Sequence, residues 1–471
     1  MASTLQDQQE ELRALIGADA VLTRPEDTAS FEIDHRHLYH GHALAVLLPR
    51  SVEHVAAVTL WCNQRRIGLV PQGGNTGYCG AATPDESGKQ LVLSLRRLNR
   101  IRELDAANFS MTVEAGCVLA KVQEAAETAA RYFPLSLGAE GSCQIGGNLA
   151  TNAGGLNVVR YGMARDLVLG IEAVMADGSV LHGLKSLRKD NTGYDLKSLL
   201  IGSEGTLAVI TAATLKLWPR MRSSATALLG LATPADALEL LGLLRAAAGE
   251  RLSSFELMPR IAIELTTRFI DGVRDPLDKP YPWYILCELT CSAEENLDEL
   301  LQQTLAAAIE RSLVLDAAFA TSERVRADFW HLREHVPEAQ RRAGASLKHD
   351  ISVPVASLPQ FISEASLWVN EHVPDGVLVC YGHAGDGNLH FNINRIDAAS
   401  NEVFLAREPT IRRAIHDLVA RYHGSISAEH GIGRLKREEL QRYASPVALT
   451  TMRAIKHALD PNGIMNPGKL L

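Results

Sequence analysis

GAEGSCQIGGNLATNAGG, residues 138–155, is a dense glycine segment with apolar residues set into it. Six glycines stand among Ser142, Asn148, Thr151 and Asn152, while Ile145 and Leu149 are placed as anchors into a core. A flexible linker has no use for such anchors. The segment therefore reads as a shaped loop that turns backbone N–H groups and small polar side chains towards a ligand. Upstream, PQGGNTGYCG (71–80) holds four glycines in ten residues. By itself that loop fits either a tight turn or an anion cradle. Two such loops on one domain can bracket a long, phosphate-bearing cofactor. The lack of GxGxxG after a strand and of GxxxxGK[ST] argues against a Rossmann dinucleotide site and a P-loop.

The segments around these loops alternate in type. ALAVLLP (43–49) reads as a buried strand, SVEHVAAVTLWCNQRR as a helix with Ser51 as its N-cap, and IGLVPQGG as the next strand. Further on, LVLGIEAVMADG and GSVL form a hairpin at Asp177-Gly178, and TLAVITAATLKLWP is a continuous apolar strand. After Trp218-Pro219 the character changes. An amphipathic helix, LATPADALELLGLLRAAAG, opens a second unit that contains the strand WYILCELTC and the helix ENLDELLQQTLAAAIERS. SERVRADFWHLREHVPEAQRRAG reads as a helix bent near Pro337. SLKHDISVPV reads as a strand with Lys348, Asp350 and Ser352 on one side. The expected fold class is α+β, divided into an N-terminal helix and cofactor domain (1–220), an α+β substrate or cap domain with an antiparallel sheet (221–425), and a C-terminal segment (426–471) returning to the first domain.

Composition narrows the function classes. The 471 residues are 46% hydrophobic and 22% charged, with a net charge of -8. No basic block suggests nucleic acid or an anionic membrane surface, and no apolar run approaches the roughly 20 residues of a transmembrane helix. The polar, acid-bearing N-terminus is unlike a secretory signal or a transit peptide. Seven irregularly spaced cysteines without a CxxC read as reduced, mostly buried thiols of a cytoplasmic protein, with a membrane-peripheral location as the alternative. The four-histidine tract DHRHLYHGHA reads as a packed or solvated turn rather than a metal tract.

A second ligand-bearing region lies near the C-terminus. In VLVCYGHAGDGNLHFNIN, one strand ends at His383, the chain turns, and a second strand returns through His390 and Asn392. The reversal can bring both imidazoles to one point, and His390 and Asn392 share a face. Glu429 follows the strand-like GSIS at the start of an expected helix, with His430 beside it. A lone histidine is usually structural. Two imidazoles and a carboxylate with an open position also suit a catalytic Zn²⁺, with Mn²⁺ or Fe²⁺ as alternatives. Arg333 and Lys348 are surface charges taken singly; together they can clamp a carboxylate.

PQGGNTG, GSCQIGGNLATNAGG, LRKDNTGYDLKSLLIGSEGTLAVIT and the terminal NPGK together resemble the flavin-binding domain of the vanillyl-alcohol oxidase/p-cresol methylhydroxylase superfamily. GHAGDGNLHFNI, SAEHGIG, LREHVPEAQ with SLKHDISVP, and LDPNGIMNPGK resemble its FAD-linked D-2-hydroxyacid dehydrogenases, the D-2-hydroxyglutarate branch most closely and the D-lactate and glycolate branches next. The resemblance spans about residues 40–471. It implies FAD contacts at Pro71, Gly73, Gly74, Asn75, Thr76, Gly77, Gly141, Ser142, Gly147, Thr151, Asn152, Gly154, Glu204, Gly205, Ile210 and Asn466. Members with covalent flavin often carry a histidine in the first loop; Asn75 and Thr76 stand there, so non-covalent FAD is expected. It further implies metal ligation by His383, His390 and Glu429, substrate binding by Arg333, Lys348, Asn392 and His430, and His430 as the base. A substrate-binding threonine expected four residues after the arginine is Pro337 here, which offers neither hydroxyl nor N–H. The expected reaction takes a 2-hydroxy acid to the 2-oxo acid. Without a haem or iron–sulfur motif, electrons go to an external acceptor such as a quinone or an electron-transfer flavoprotein. A homodimer is the expected assembly. A metal hydrolase would not need the glycine segments, and a non-catalytic flavin subunit would not need His430.

Overall fold

The structure, a computed structural model, describes residues 5–395 and 401–471; the first four residues of the N-terminal reading lie outside it. The chain divides into two compact units. One comprises Met1–Ala153, Met163–Arg220 and His430–Leu471, the other Gly154–Gly162 and Met221–Glu429.

The first unit holds a four-stranded sheet, a five-stranded sheet and the short antiparallel pair Arg131–Tyr132 with Trp218–Pro219. Strands Ala43–Leu47, Gln90–Ser94 and Leu69–Gln72 run parallel, with Val21–Leu22 antiparallel at the edge. Parallel neighbours require a crossover, and the helix Val52–Arg65 leads from the first of these strands towards Leu69–Gln72. Ser51 caps that helix by accepting the His54 N–H at 3.3 Å. Its Val55 and Val58 pack in one core with Leu47, Leu69, Leu91 and Leu93. The second sheet is antiparallel and runs Ile101–Asp105, Ser110–Glu114, Ala208–Lys216, Val168–Met175, Val180–Gly183. The C-terminal residues belong to this unit as well. Met465 bridges to Leu69 in parallel, and the Asn466 N–H donates to the Leu69 carbonyl at 2.8 Å. Lys456 and Asp460 brace the approach through the Met465 carbonyl and N–H.

The second unit is built on one antiparallel sheet. Its order is Asp316–Phe319, Ser223–Leu231, Trp283–Cys291, Leu252–Pro259, Val377–His383, Asn388–Asn394, Ser346–Leu347, with Asp350–Ser352 also paired to Asn388–Asn394. Helices Pro234–Ala248 and Leu297–Glu310 pack together, as do Arg260–Phe269 and Val336–Ala343. Thr233 and Asp236 close a reciprocal cap on the first of these.

Three local expectations change. The single bent helix is two, Glu323–Glu334 and Val336–Ala343, broken at His335. Pro337 sits in the first turn of the second, where its missing N–H has no intrahelical partner to lose. The expected strand through Lys348 is split, because the His349 N–H goes to the Asn392 side chain at 3.3 Å instead of a strand carbonyl. The register nevertheless runs on across the gap, with Leu347 opposite Ile393, Asp350 opposite His390 and the Phe391 N–H donating to the His349 carbonyl at 2.8 Å, so Lys348 and Asp350 keep to one side. No helix starts at Glu429. Gly431 and Gly433 adopt left-handed backbone (φ 73 and 50), and the next helix is Arg437–Tyr443.

Replacing the fully buried Leu91 by alanine is expected to cost about 2–5 kcal/mol of stability, since the packed sheet and helix cannot close the cavity. Urea denaturation of the two proteins measures it; an unchanged midpoint would contradict this placement of the core.

Candidate functional site

In the first unit a cavity opens among the residues of both glycine segments. Pro71, Gly73, Gly74, Asn75, Thr76, Gly77, Gly147, Thr151, Glu204, Gly205, Ile210 and Asn466 line it, and so does His430. The first loop is pressed onto the second. A Cβ at Gly74 would stand 2.2 Å from the Ser142 carbonyl oxygen, so only glycine fits. Asn75 holds a left-handed turn (φ 54) while its Nδ2 donates to the Ile33 carbonyl at 2.8 Å. Ile145 and Leu149 are buried as anchors. Glu204 accepts the Ile432 and Gly433 N–H groups at 2.7 Å each, and burial pushes its carboxyl pKa up despite those donors. The His430 ring lies 4.6 Å from that of Tyr78.

Two acceptors in the cavity wall are unsatisfied. Gln144 Oε1 and Asn466 Oδ1 are buried with no hydrogen-bond partner, although Asn466 Nδ2 donates to the Ala81 and Glu204 carbonyls. Buried acceptors without donors are costly, and a ligand rich in N–H and hydroxyl groups would satisfy them. An isoalloxazine ring with a ribityl chain has both. Gln144 went unnoticed in the sequence although it lies inside the quoted glycine segment.

Four of the expected cofactor residues do not line this cavity. Gly141 and Ser142 are exposed, and Ser142 contributes the carbonyl that Gly74 approaches. Asn152 accepts the Arg165 N–H at 2.9 Å and so fixes the chain locally. Gly154 belongs to the second unit, where a Cβ would stand 2.4 Å from Glu429 Oε1.

The second unit carries a cluster of acids and histidines. His383 ends one strand and His390 sits opposite Tyr381 on the next, with the two imidazole centroids 5.4 Å apart. Glu429 reaches the same place. Its N–H donates to Asp350 Oδ2 at 2.8 Å, its Oε1 accepts the Gly155 N–H at 2.5 Å, and that oxygen lies 3.9 Å from His383 Nε2. Asp350, His390 and Glu429 each offer a donor atom within 4.8 Å of the others. His383 Nδ1 is committed to Glu256 Oε1 at 2.7 Å, which leaves its Nε2 for another partner.

The charges in this cluster are strongly perturbed. Burial pushes the Glu429 carboxyl up to about 7, with Asp350 and Asp386 adding to the rise against the pull of His383. Asp386 in the turn is raised to about 6, again chiefly by burial. Burial alone would lower His383, but the facing Glu256 carboxylate outweighs it and raises the imidazole to about 9. Burial would likewise raise Glu256, yet the charges of His383 and Arg333 hold it at about 2. Four carboxyl groups, Glu256, Asp350, Asp386 and Glu429, thus crowd around imidazoles, with the Arg333 guanidinium on Glu256. That donor set fits a divalent cation, which would relieve the carboxylates that burial disfavours. Asp350 and Glu256 were not singled out from the sequence for this role.

The expected substrate residues are in the same unit. Arg333 is buried, its Nε donating to Glu256 Oε2 at 2.8 Å and its guanidinium stacked 4.8 Å from the Tyr381 ring. Asn392 is buried; its Nδ2 donates to Gln340 Oε1 at 3.1 Å and its Oδ1 accepts the His349 N–H. Lys348 is half-buried beside the strand break.

These features define a flavoprotein. Residues 43–183 match the model of the FAD binding domain. Residues 220–470 match that of the FAD linked oxidases, C-terminal domain, and the chain belongs to this family of FAD-linked oxidases. It is 39% identical over 460 residues to "Probable D-2-hydroxyglutarate dehydrogenase, mitochondrial" of Oryza sativa subsp. indica, covering 98% of this chain and 80% of that one. To "D-2-hydroxyglutarate dehydrogenase" of Stutzerimonas stutzeri (strain A1501) it is 37% identical over 462 residues, 98% of each chain. The solved structure of p-cresol methylhydroxylase with substrate bound superposes with a TM-score of 0.79 at 16% identity over 99% of this chain and 96% of that one, a likeness of fold. Among the described residues no helix is long and apolar enough to cross a membrane.

Gly74→Ala is expected to yield protein depleted of FAD, because the added methyl pushes the first loop off Ser142. Flavin absorbance per mole of purified protein reads this; full occupancy would contradict the close approach.

Proposed function

We propose that this protein oxidises D-2-hydroxyglutarate to 2-oxoglutarate at a site that uses FAD and a divalent metal ion. The observation that carries the reading is the identity of 37–39% over almost the whole chain to D-2-hydroxyglutarate dehydrogenases, together with the acid–histidine cluster. FAD, held without a covalent bond since no histidine stands at Asn75 or Thr76, supplies the two-electron redox chemistry when bound. His383, His390 and Glu429, with Asp350 adjoining, would hold a divalent metal such as Zn²⁺, which would lower the pKa of a hydroxyl group bound to it.

The chain's own groups do the rest. Arg333 and Lys348 bind and orient a carboxylate, and Asn392 fixes the position of the substrate through its amide. His430 takes the proton of the C2 hydroxyl. Loss of that proton to His430 and of a hydride from C2, which FAD would accept when bound, leaves the C2 carbonyl of the 2-oxo acid, and the electron pair would pass on to an external carrier. Buried, free thiols at six of the seven cysteines suit a reducing compartment. Pro337 favours a second reading, a substrate with a shorter tail such as D-lactate, because proline has no group with which to bind a distal carboxylate.

Three outcomes are expected from anaerobic mixing of the purified holoprotein with a panel of D- and L-2-hydroxy acids. D-2-Hydroxyglutarate bleaches the flavin faster than D-lactate and faster than the L-enantiomers; faster bleaching by D-lactate would favour the second reading. His430→Ala slows bleaching by about 100-fold or more, and a near-wild-type rate would remove the base assignment. Chelation abolishes bleaching and Zn²⁺ or Mn²⁺ restores it, whereas activity that survives verified metal depletion would reject the metal.

A further inference from the structure

Glu256 is the one carboxylate of the cluster that both a candidate ligand and a candidate substrate clamp depend on. It lies on the strand Leu252–Pro259 with 0% exposure, directly across the ladder from His383. Its two oxygens are divided. Oε1 stands 2.7 Å from His383 Nδ1, and Oε2 accepts from Arg333 Nε at 2.8 Å, with Nη2 at 2.7 Å. Arg333 Nη2 nevertheless makes no well-aligned hydrogen bond, so this end of the guanidinium keeps donor capacity. Tyr381 confines the guanidinium from the ring side.

We infer that Glu256 is a positioning residue that sets two recognition elements at once: it fixes the His383 tautomer so that Nε2 faces the metal, and it aims Arg333 at the substrate carboxylate. The inference rests on the metal-assisted hydroxy-acid reading above. An imidazole whose Nδ1–H is held by a carboxylate presents Nε2 in one orientation and is a stronger ligand. A guanidinium held through Nε by a buried acid loses the freedom of its long stem. Because one carboxylate serves both, loosening it weakens metal binding and substrate binding together. Neutral glutamine at this position keeps the size of the side chain but turns one acceptor oxygen into a donor, facing either an imidazole N–H or a guanidinium.

The test compares holoprotein of the wild type, Glu256→Gln and Glu256→Asp. Zn²⁺ affinity is read by competition with a chromogenic chelator, and KM and kcat for D-2-hydroxyglutarate are read at saturating Zn²⁺. The glutamine variant is expected to bind Zn²⁺ roughly 10–100-fold more weakly and to show a KM raised by about tenfold or more, with its flavin absorbance spectrum unchanged. The aspartate variant, which keeps the charge, recovers part of both losses and remains informative should the glutamine variant not fold. Wild-type Zn²⁺ affinity and KM in the variants would overturn the inference, and so would loss of one property without the other. A wild-type protein that neither binds Zn²⁺ nor oxidises the acid would instead overturn the functional reading beneath it.

Discussion

The buried triad of Arg333, Glu256 and His383 is the constraint on which the second unit's site depends. A carboxylate shielded from water is costly unless it is paired and hydrogen-bonded. Glu256 meets that condition only because a helix delivers Arg333 to one oxygen and a neighbouring strand delivers His383 to the other. Replacing a buried ion pair by apolar side chains of similar size is often neutral or stabilising. What the ions add is orientation: one donor atom of His383 and one edge of Arg333 are committed, and the rest of each group faces elsewhere. Removing either partner alone would strand a buried charge, at about 3–5 kcal/mol by the usual scale for such pairs.

From that triad outward, the cluster is a place where negative charge has been gathered at a cost. Burial pushes Glu429 and Asp386 up because neighbouring carboxylates compound the loss of water. Groups held so far from their ordinary behaviour are common at chemical sites. The first unit shows a complementary deficiency, with acceptors at Gln144 and Asn466 that lack donors. Both are features that a bound partner of the right chemistry would correct, a cation for the carboxylates and a donor-rich ligand for the amides.

The fold and the cofactor loops were legible in the sequence because their signals are local. The glycines at 73, 74 and 147 shape the backbone within a few residues, and Ile145 and Leu149 mark the loop's anchor without any knowledge of what it packs on. The His383–His390 turn was legible for the same reason, since a short bend between two apolar runs brings its ends together. Glu256 was not. It lies inside a strand that reads as core, and its partner His383 is 127 positions away, a pairing that only the order of strands in the sheet establishes. Asp350 was legible as a strand residue but not as part of the cluster, because its pairing opposite His390 and the Glu429 N–H that reaches it from 79 positions away are set by the tertiary fold. The helix expected at Glu429 failed because Gly431 and Gly433 take left-handed backbone and the neighbouring N–H groups bond to Glu204 rather than to a preceding turn.

On this account, C2 of a D-2-hydroxy acid gives up its hydrogen to FAD in the step that reduces the cofactor. Anaerobic stopped-flow with D-2-hydroxyglutarate and with the same acid deuterated at C2 tests it most directly. The expected result is rapid bleaching of the flavin that deuterium slows by a primary isotope effect. Flavin that stays oxidised in the presence of D-2-hydroxyglutarate would contradict the claim.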